Sequence, residues 1–337
     1  MTVTTEVSQL PLKPIEEDFE AKLAETIDQQ PAISKLVDDV VARGLRNIFF
    51  VGAGGSLIAS YPAYYALRGT LSIPVFQVQS DELNTTKPPA LGEGSLVIIA
   101  SHTGTTKETV AAAKYARSTG ATVASIGKPG APLAENSDVA FAPDSDVVEL
   151  LVSYALLERL GVPGDYGAVR QAITALPTAL RQAQEESEDL VHGIALALKD
   201  EPVTYVLGSG ANYGWAYGLA MCYLQEMQWK HAAAFNSGEF FQGAFEVVND
   251  EVPVILLLGE GETRPMDERA KQFLDRYTKK AHYIDCRDFS LPGVPEALRG
   301  DISALAFRAV IGRLAKHYES VRGHDLEQRH YMFKVEY

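Results

Sequence analysis

Cysteine is nearly absent from this chain of 337 residues, which holds Cys222 and Cys286 and no others. Two thiols cannot build a disulfide framework, and no Cys/His cluster has zinc-ligand spacing. A reducing, cytoplasmic setting is expected, with no structural metal. Long apolar runs are missing too. "VPVILLLG" at 252–259, among the longest, falls well short of the ~20 residues that span a bilayer, and the N-terminus lacks a basic-then-apolar leader pattern. Neither membrane insertion nor export is expected. Basic residues are in the minority, 30 against 44 acidic ones for a net charge of −14, which argues against nucleic acid or anionic lipid as a partner. An anionic ligand on such a chain has to be held by local backbone dipoles.

What is present is a hydrophobic content of 46%, enough for a large core or two similar units. Apolar, β-branched runs at 46–52, 74–80, 95–101, 121–127 and 138–143 alternate in the first half with helical patterns such as "SLIASYPAYYALRG" and "TKETVAAAKYARSTG". Fully apolar strands separated by helices predict a doubly wound α/β unit with a parallel sheet covered on both faces. The second half repeats the plan. "PVTYVLGSGANYGWAYGLAM" at 202–221 parallels "NIFFVGAGGSLIASYPAYYA" at 47–66, so an internal duplication is expected. The divisions read from the pattern are an N-terminal arm and helix at 1–30, a first α/β domain at 31–160, a helical connector at 161–200 and a second α/β domain at 201–337.

Two βα turns carry chemistry. "SHTGTTKET" at 101–109 places Ser101, Thr103, Thr105 and Thr106 with Gly104 where an apolar strand becomes a helix. Unpaired N–H groups and the helix dipole meet there, and hydroxyl donors with a close-approaching glycine suit a phosphate monoester. Helix capping is the plainer reading, although one hydroxyl suffices for a cap. "VGAGGSLIAS" at 51–60 offers Gly54 and Ser56 at the start of another helix. It lacks the Gly-Lys-Ser/Thr ending of a P-loop and the third glycine of a dinucleotide fingerprint.

These residues, with "YGLAMCYLQEMQWKHAAAFNSGEFFQGAFEVV" and the ending "EQRHYMFKVEY", resemble the double-SIS-domain phosphosugar family, and its deglycase branch more than the isomerase half of glucosamine-6-phosphate synthase. The resemblance implies two flavodoxin-like SIS domains and a phosphosugar ligand bound by Gly54, Ser56, Ser101, His102, Thr103 and Thr106. It places the family's catalytic glutamate on Glu226 and its ring-opening histidine on Gln242, which cannot shuttle a proton. Glu239 matches the family pattern as a substrate contact, but equally suits a cap for the helix starting near Phe240. Lys334 falls near a ligand-covering lysine of the family. A site built at the interface of a homodimer is also implied.

Read without the resemblance, Glu226 lies in "YGWAYGLAMCYLQEMQW", where positions 215, 219, 222, 226 and 229 recur at helical spacing. A carboxylate on that apolar stripe titrates upward unless paired, and so is poised for proton transfer. A tie to Lys230 or to a backbone group is the structural alternative. His231 is the nearest other proton carrier in sequence, although a lone histidine in an Ala-rich segment more often serves structure. The reaction that the resemblance implies takes a 6-phosphorylated ketosamine (Amadori compound), moves a proton from C1 to C2 and lets water cleave the aldimine to glucose 6-phosphate and an amine. The adjacent carbonyl or imine supplies the acidity, so no metal or other cofactor is called for. An aldose–ketose phosphate isomerase, an amino-sugar phosphate deaminase and a non-catalytic phosphosugar sensor are the alternatives.

Overall fold

Runs of Ile, Val, Leu and Phe without polar alternation form the central strands. The computed structural model describes residues 9–141, 144–332 and 334–336. Its strands are β1 (Asn47–Gly52), β2 (Val75–Gln79), β3 (Ser95–Ser101), β4 (Thr122–Gly127), β5 (Val139–Phe141), β6 (Val203–Gly208), β7 (His231–Asn236), β8 (Val254–Leu258) and β9 (Ala281–Asp285). Every residue of β1 and β3 is buried. Such strands require cover on both faces. The pairings are parallel, in a five-stranded sheet of order β2-β1-β3-β4-β5 and a four-stranded sheet of order β7-β6-β8-β9. The second sheet thus repeats the 2-1-3-4 order of the first, as the internal duplication predicts. Residues 142 and 143 of the expected strand at 138–143 lie outside the described residues.

Two compact units result. The first holds β1–β5 within Glu20–Pro177 and adds Gly293–Leu298; the second holds β6–β9 within Thr178–Pro292, with the described residues of 1–19 and 299–337. The division falls inside one 33-residue helix, Tyr166–Leu198, at Pro177. In the first unit Phe49, Val51, Val97, Ile99 and Val123 pack against Ala112, Ala113 and Ala116 of the helix Lys107–Ser118. In the second, Leu207, Leu256 and Leu258 pack with Phe240, Ala270 and Leu274. Each such Val, Leu or Phe contributes about 1.5–3 kcal/mol.

Three local features depart from the sequence pattern. The helix expected across 56–69 is two helices, Gly55–Ala59 and Tyr61–Thr70, with Pro62 opening the second. The helix carrying Glu226 is α-helical only over Tyr213–Gly218 and continues as a π-helix over Leu219–Met227. Third, "HAAAFN" is a strand, β7, at the edge of the second sheet. The N-terminal arm runs without regular structure over 9–16. It is pinned to the helix Arg299–Arg322 by Leu10 with Ser320 (3.1 and 2.7 Å), Lys13 with Glu319 (2.6 Å) and Arg313 with the Lys13 carbonyl (2.9 Å).

Candidate active site

In the first unit, β1 and β3 are hydrogen-bonded neighbours, although β2 intervenes in the chain. The crevice at their carboxyl ends is the topological switch point where open α/β sheets bind ligands. Both predicted loops start there. Ser101 closes β3 and is buried, whereas His102, Thr103 and Thr105 are exposed and Thr106 is half-buried. The Ser101 and Thr106 hydroxyls are 2.9 Å apart, and those of Thr103 and Thr105 are 2.8 Å apart. Thr106 occupies the N-cap position of the helix Lys107–Ser118 but makes no side-chain capping bond. Capping is therefore not what gathers these hydroxyls, and no N-cap side chain competes for the helix's leading N–H groups.

The loop is fixed by close backbone packing. Gly104 has φ +66°, and a Cβ there would lie 2.5 Å from the Ala131 Cβ. Its N–H bonds the Ser101 carbonyl at 2.9 Å and its carbonyl accepts from Leu133 N–H at 3.0 Å. Beside it, Gly54 precedes the helix Gly55–Ala59 with φ +55°, also without a side-chain cap, and Ser56 is half-buried. A Cβ on Gly52 would meet Leu57 N at 2.9 Å, so the glycine lets the end of β1 pack directly on that helix start.

In the second unit Glu226 precedes β7 by five residues and so lies toward the amino end of its sheet. Its side chain is 26% exposed and its Oε1 accepts from Arg329 Nη2 at 2.9 Å. Burial raises the Glu226 carboxyl above the usual carboxylate range, Arg329 opposes that rise, and Glu327 adds to it. The expected partner Lys230 is engaged elsewhere, donating to the Lys199 and Glu201 carbonyls at 3.2 and 2.6 Å. The stripe read at 3.6-residue spacing holds in part: Trp215, Leu219 and Cys222 are buried, and Glu226 is close enough to help raise the Cys222 thiol. Trp229, however, lies beyond the helix with φ +51°. Sequence reasoning missed Arg329. Its only signal was the Arg- and His-rich tail, which the structure folds onto the end of this helix.

The remaining candidates make no hydrogen bond to Glu226 among the described residues. His231 is the exposed first residue of β7. Glu239 is the first residue of the 3₁₀ turn Glu239–Gln242, whose N-cap position is Gly238, so it does not occupy the cap position expected before Phe240. Gln242 closes that turn and is exposed. Glu226 precedes β7 and Gln242 follows it, so the two lie beyond opposite ends of that strand in the chain. Lys334 is exposed and its ammonium donates to the Arg329 carbonyl.

Two parallel doubly wound sheets, one with a hydroxyl-lined loop at its switch point, define a protein of the sugar isomerase class. Comparison with known proteins agrees, for the SIS domain family matches residues 43–154. The chain is 35% identical over 317 residues to fructosamine deglycase FrlB of Bacillus subtilis, covering 90% of this chain and 97% of that one. It is 26% identical over 268 residues to fructoselysine 6-phosphate deglycase of Escherichia coli, covering 77% of this chain and 79% of the relative. A solved Bacillus subtilis structure, described as a candidate phosphosugar isomerase, superposes with a TM-score of 0.87 at 32% identity, covering 94% of this chain and 99% of that one. This protein belongs to the SIS-domain fructosamine deglycase family.

Proposed function

We propose that the protein cleaves a 6-phosphorylated ketosamine to glucose 6-phosphate and a free amine. The observation that carries this reading is that one chain holds a hydroxyl-lined helix start at 101–106 and a half-buried glutamate of raised pKa at 226, and is related over most of its length to two deglycases. The loop, with Gly54, Ser56 and His102 beside it, holds the phosphate through N–H and hydroxyl donors. Glu226, as carboxylate, takes the C1 proton of the open-chain ketosamine, and the C1–H electron pair becomes the C1=C2 bond of an enaminol. Returning that proton to C2 leaves an aldimine at C1. Water adds to its C=N bond and the amine departs, so cleavage is net hydrolysis without redox change.

Two finer points belong to the same proposal. A homodimer is supported by the family resemblance, which implies a site built at a subunit interface. A cytoplasmic location is supported by two cysteines that are both free and buried. Glu239 and Lys334 are assigned to substrate contact through the family resemblance, and His231 as a reserve proton carrier.

One observation favours a second reading. Gln242 stands where the resemblance places a histidine and cannot open a sugar ring by proton transfer, which suits a phosphosugar sensor. Incubation with a panel of 6-phosphorylated Amadori compounds, recording glucose 6-phosphate and amine together, separates the readings. A deglycase releases both in equal amounts, an isomerase releases no amine, a deaminase releases ammonia, and a sensor binds without turnover.

A further inference from the structure

The ion pair at Glu226 is built by the tail rather than by a passing surface contact. Arg329 is only 11% exposed at its side chain, and its Nη1 donates to the carbonyls of Leu326 and Gln328 within its own turn, at 2.5 and 3.0 Å. Those bonds fix the guanidinium before it meets Glu226. The turn is in turn clipped to the end of the Glu226 helix. His330 stacks on Trp229 at 3.5 Å and 21°, His324 meets Trp229 edge-on at 4.5 Å, and Gln228 Nε2 donates to the His324 carbonyl at 2.9 Å. Arg322 reaches the Gln228 side-chain oxygen at 3.0 Å, and Leu326 N–H donates to Glu319 at 3.1 Å. Trp229 stands in that stack with a left-handed backbone, φ +51°; for a bulky residue this conformation is strained and persists only where the surroundings enforce it.

We propose that Arg329 is a positioning residue for Glu226: it occupies Oε1, fixes the rotation of the carboxylate and holds it ionised, which leaves Oε2 as the oxygen that takes the substrate proton. The inference rests on the reading of Glu226 as the general base. The titratable and charged groups around this carboxylate are Arg329 and Glu327 of the tail and Cys222 of its own helix, with His324 and His330 flanking Trp229. Among the first three only Arg329 favours the charged form. Burial and Glu327 both oppose it. An opposite charge at this distance typically moves a carboxyl by about 1–3 pH units.

The test compares R329Q and R329K with the wild type on a 6-phosphorylated fructose–amino acid conjugate, following kcat/KM from acid to neutral pH. The Glu226 carboxyl is titrated in parallel by carbon-13 NMR and assigned through E226Q. In R329Q the acid limb and the Glu226 titration are both expected to move up by about one pH unit or more. In R329K, which keeps the charge, both should stay within about half that distance of the wild type. A uniform loss of kcat/KM in R329Q with an unmoved limb and an unmoved titration would reduce Arg329 to a structural clip and overturn the inference. Should R329Q fail to fold, a Glu226 titration in R329K raised as far as burial alone would drive it overturns the inference, and one that holds supports it. Failure of the general-base reading looks different: E226Q then keeps its turnover, whatever Arg329 does to the titration.

Discussion

The two sheets share one strand order, but the loops at their carboxyl ends have opposite characters. After β3 the polar groups are hydroxyls that bond one another in pairs, Ser101 with Thr106 and Thr103 with Thr105. After β8 the polar groups are charged and engaged with the protein itself. Glu260 makes a two-bond pair with Arg299 at 2.7 and 3.0 Å. Arg264 donates to the Gly259 carbonyl at 2.9 Å and to both oxygens of Asp285 at 2.8 and 2.7 Å. Asp267, fully buried, accepts from Ser237 at 2.5 Å. The Asn212 amide fills the space over Gly259, where an added Cβ would lie 1.9 Å from its nitrogen. The two units thus share a sheet order, while the loop after β3 carries hydroxyls and the one after β8 is filled by its own side chains.

The sharpest division of labour should appear at Glu226. A positioned general base contributes about 10²–10⁴-fold, so E226Q is expected to lose turnover by that factor while glucose 6-phosphate affinity, measured by calorimetry, stays within about twofold. A comparable loss of affinity would mean that binding and chemistry do not divide in this way.

A smaller effect, on stability rather than activity, is expected in the filled loop. E260A leaves the Arg299 guanidinium, 11% exposed, without its carboxylate and should cost about 3 kcal/mol in denaturant unfolding, the range for breaking a buried pair. Its phosphosugar affinity should not change. The same loop predicts a pH dependence. Burial pushes the Asp267 carboxyl up to about 6, above its unfolded value of about 4. The folded state therefore binds this proton more tightly, and the stabilisation present below pH ~4 is lost as pH rises through the folded value. That loss is on the order of 3 kcal/mol, at ~1.4 kcal/mol for each pH unit separating the folded and unfolded values. D267N should flatten the stability profile between those limits, and an unchanged profile would assign the dependence to another group.

Much of this contrast was legible in the residues. β1 and β3 are runs such as "NIFFVG" and "SLVIIAS" whose unbroken apolar character admits no half-exposed strand, and they begin and end within a residue of expectation. The hydroxyl loop is a local motif and was found for that reason. β7 was not, because "HAAAFN" has little β-branched content and no alternation, and pairing with β6 rather than propensity makes it a strand. The π-helix over Leu219–Met227 was hidden because periodicity reading assumes 3.6 residues per turn; such turns are rare and concentrate at functional sites. Arg329 lies more than a hundred residues from Glu226 in the chain, and nothing local links the two.

The central claim is that the cradle after β3 is the phosphate site and its counterpart after β8 is not. The direct measurement is calorimetric titration of glucose 6-phosphate into the wild type, S101A/T103A and T263A. Taking about 1 kcal/mol per lost hydrogen bond, affinity should fall tenfold or more in S101A/T103A and stay unchanged in T263A, whose hydroxyl-bearing side chain packs on Gly210 in the filled loop. Unchanged affinity in S101A/T103A, or a loss confined to T263A, would contradict the account.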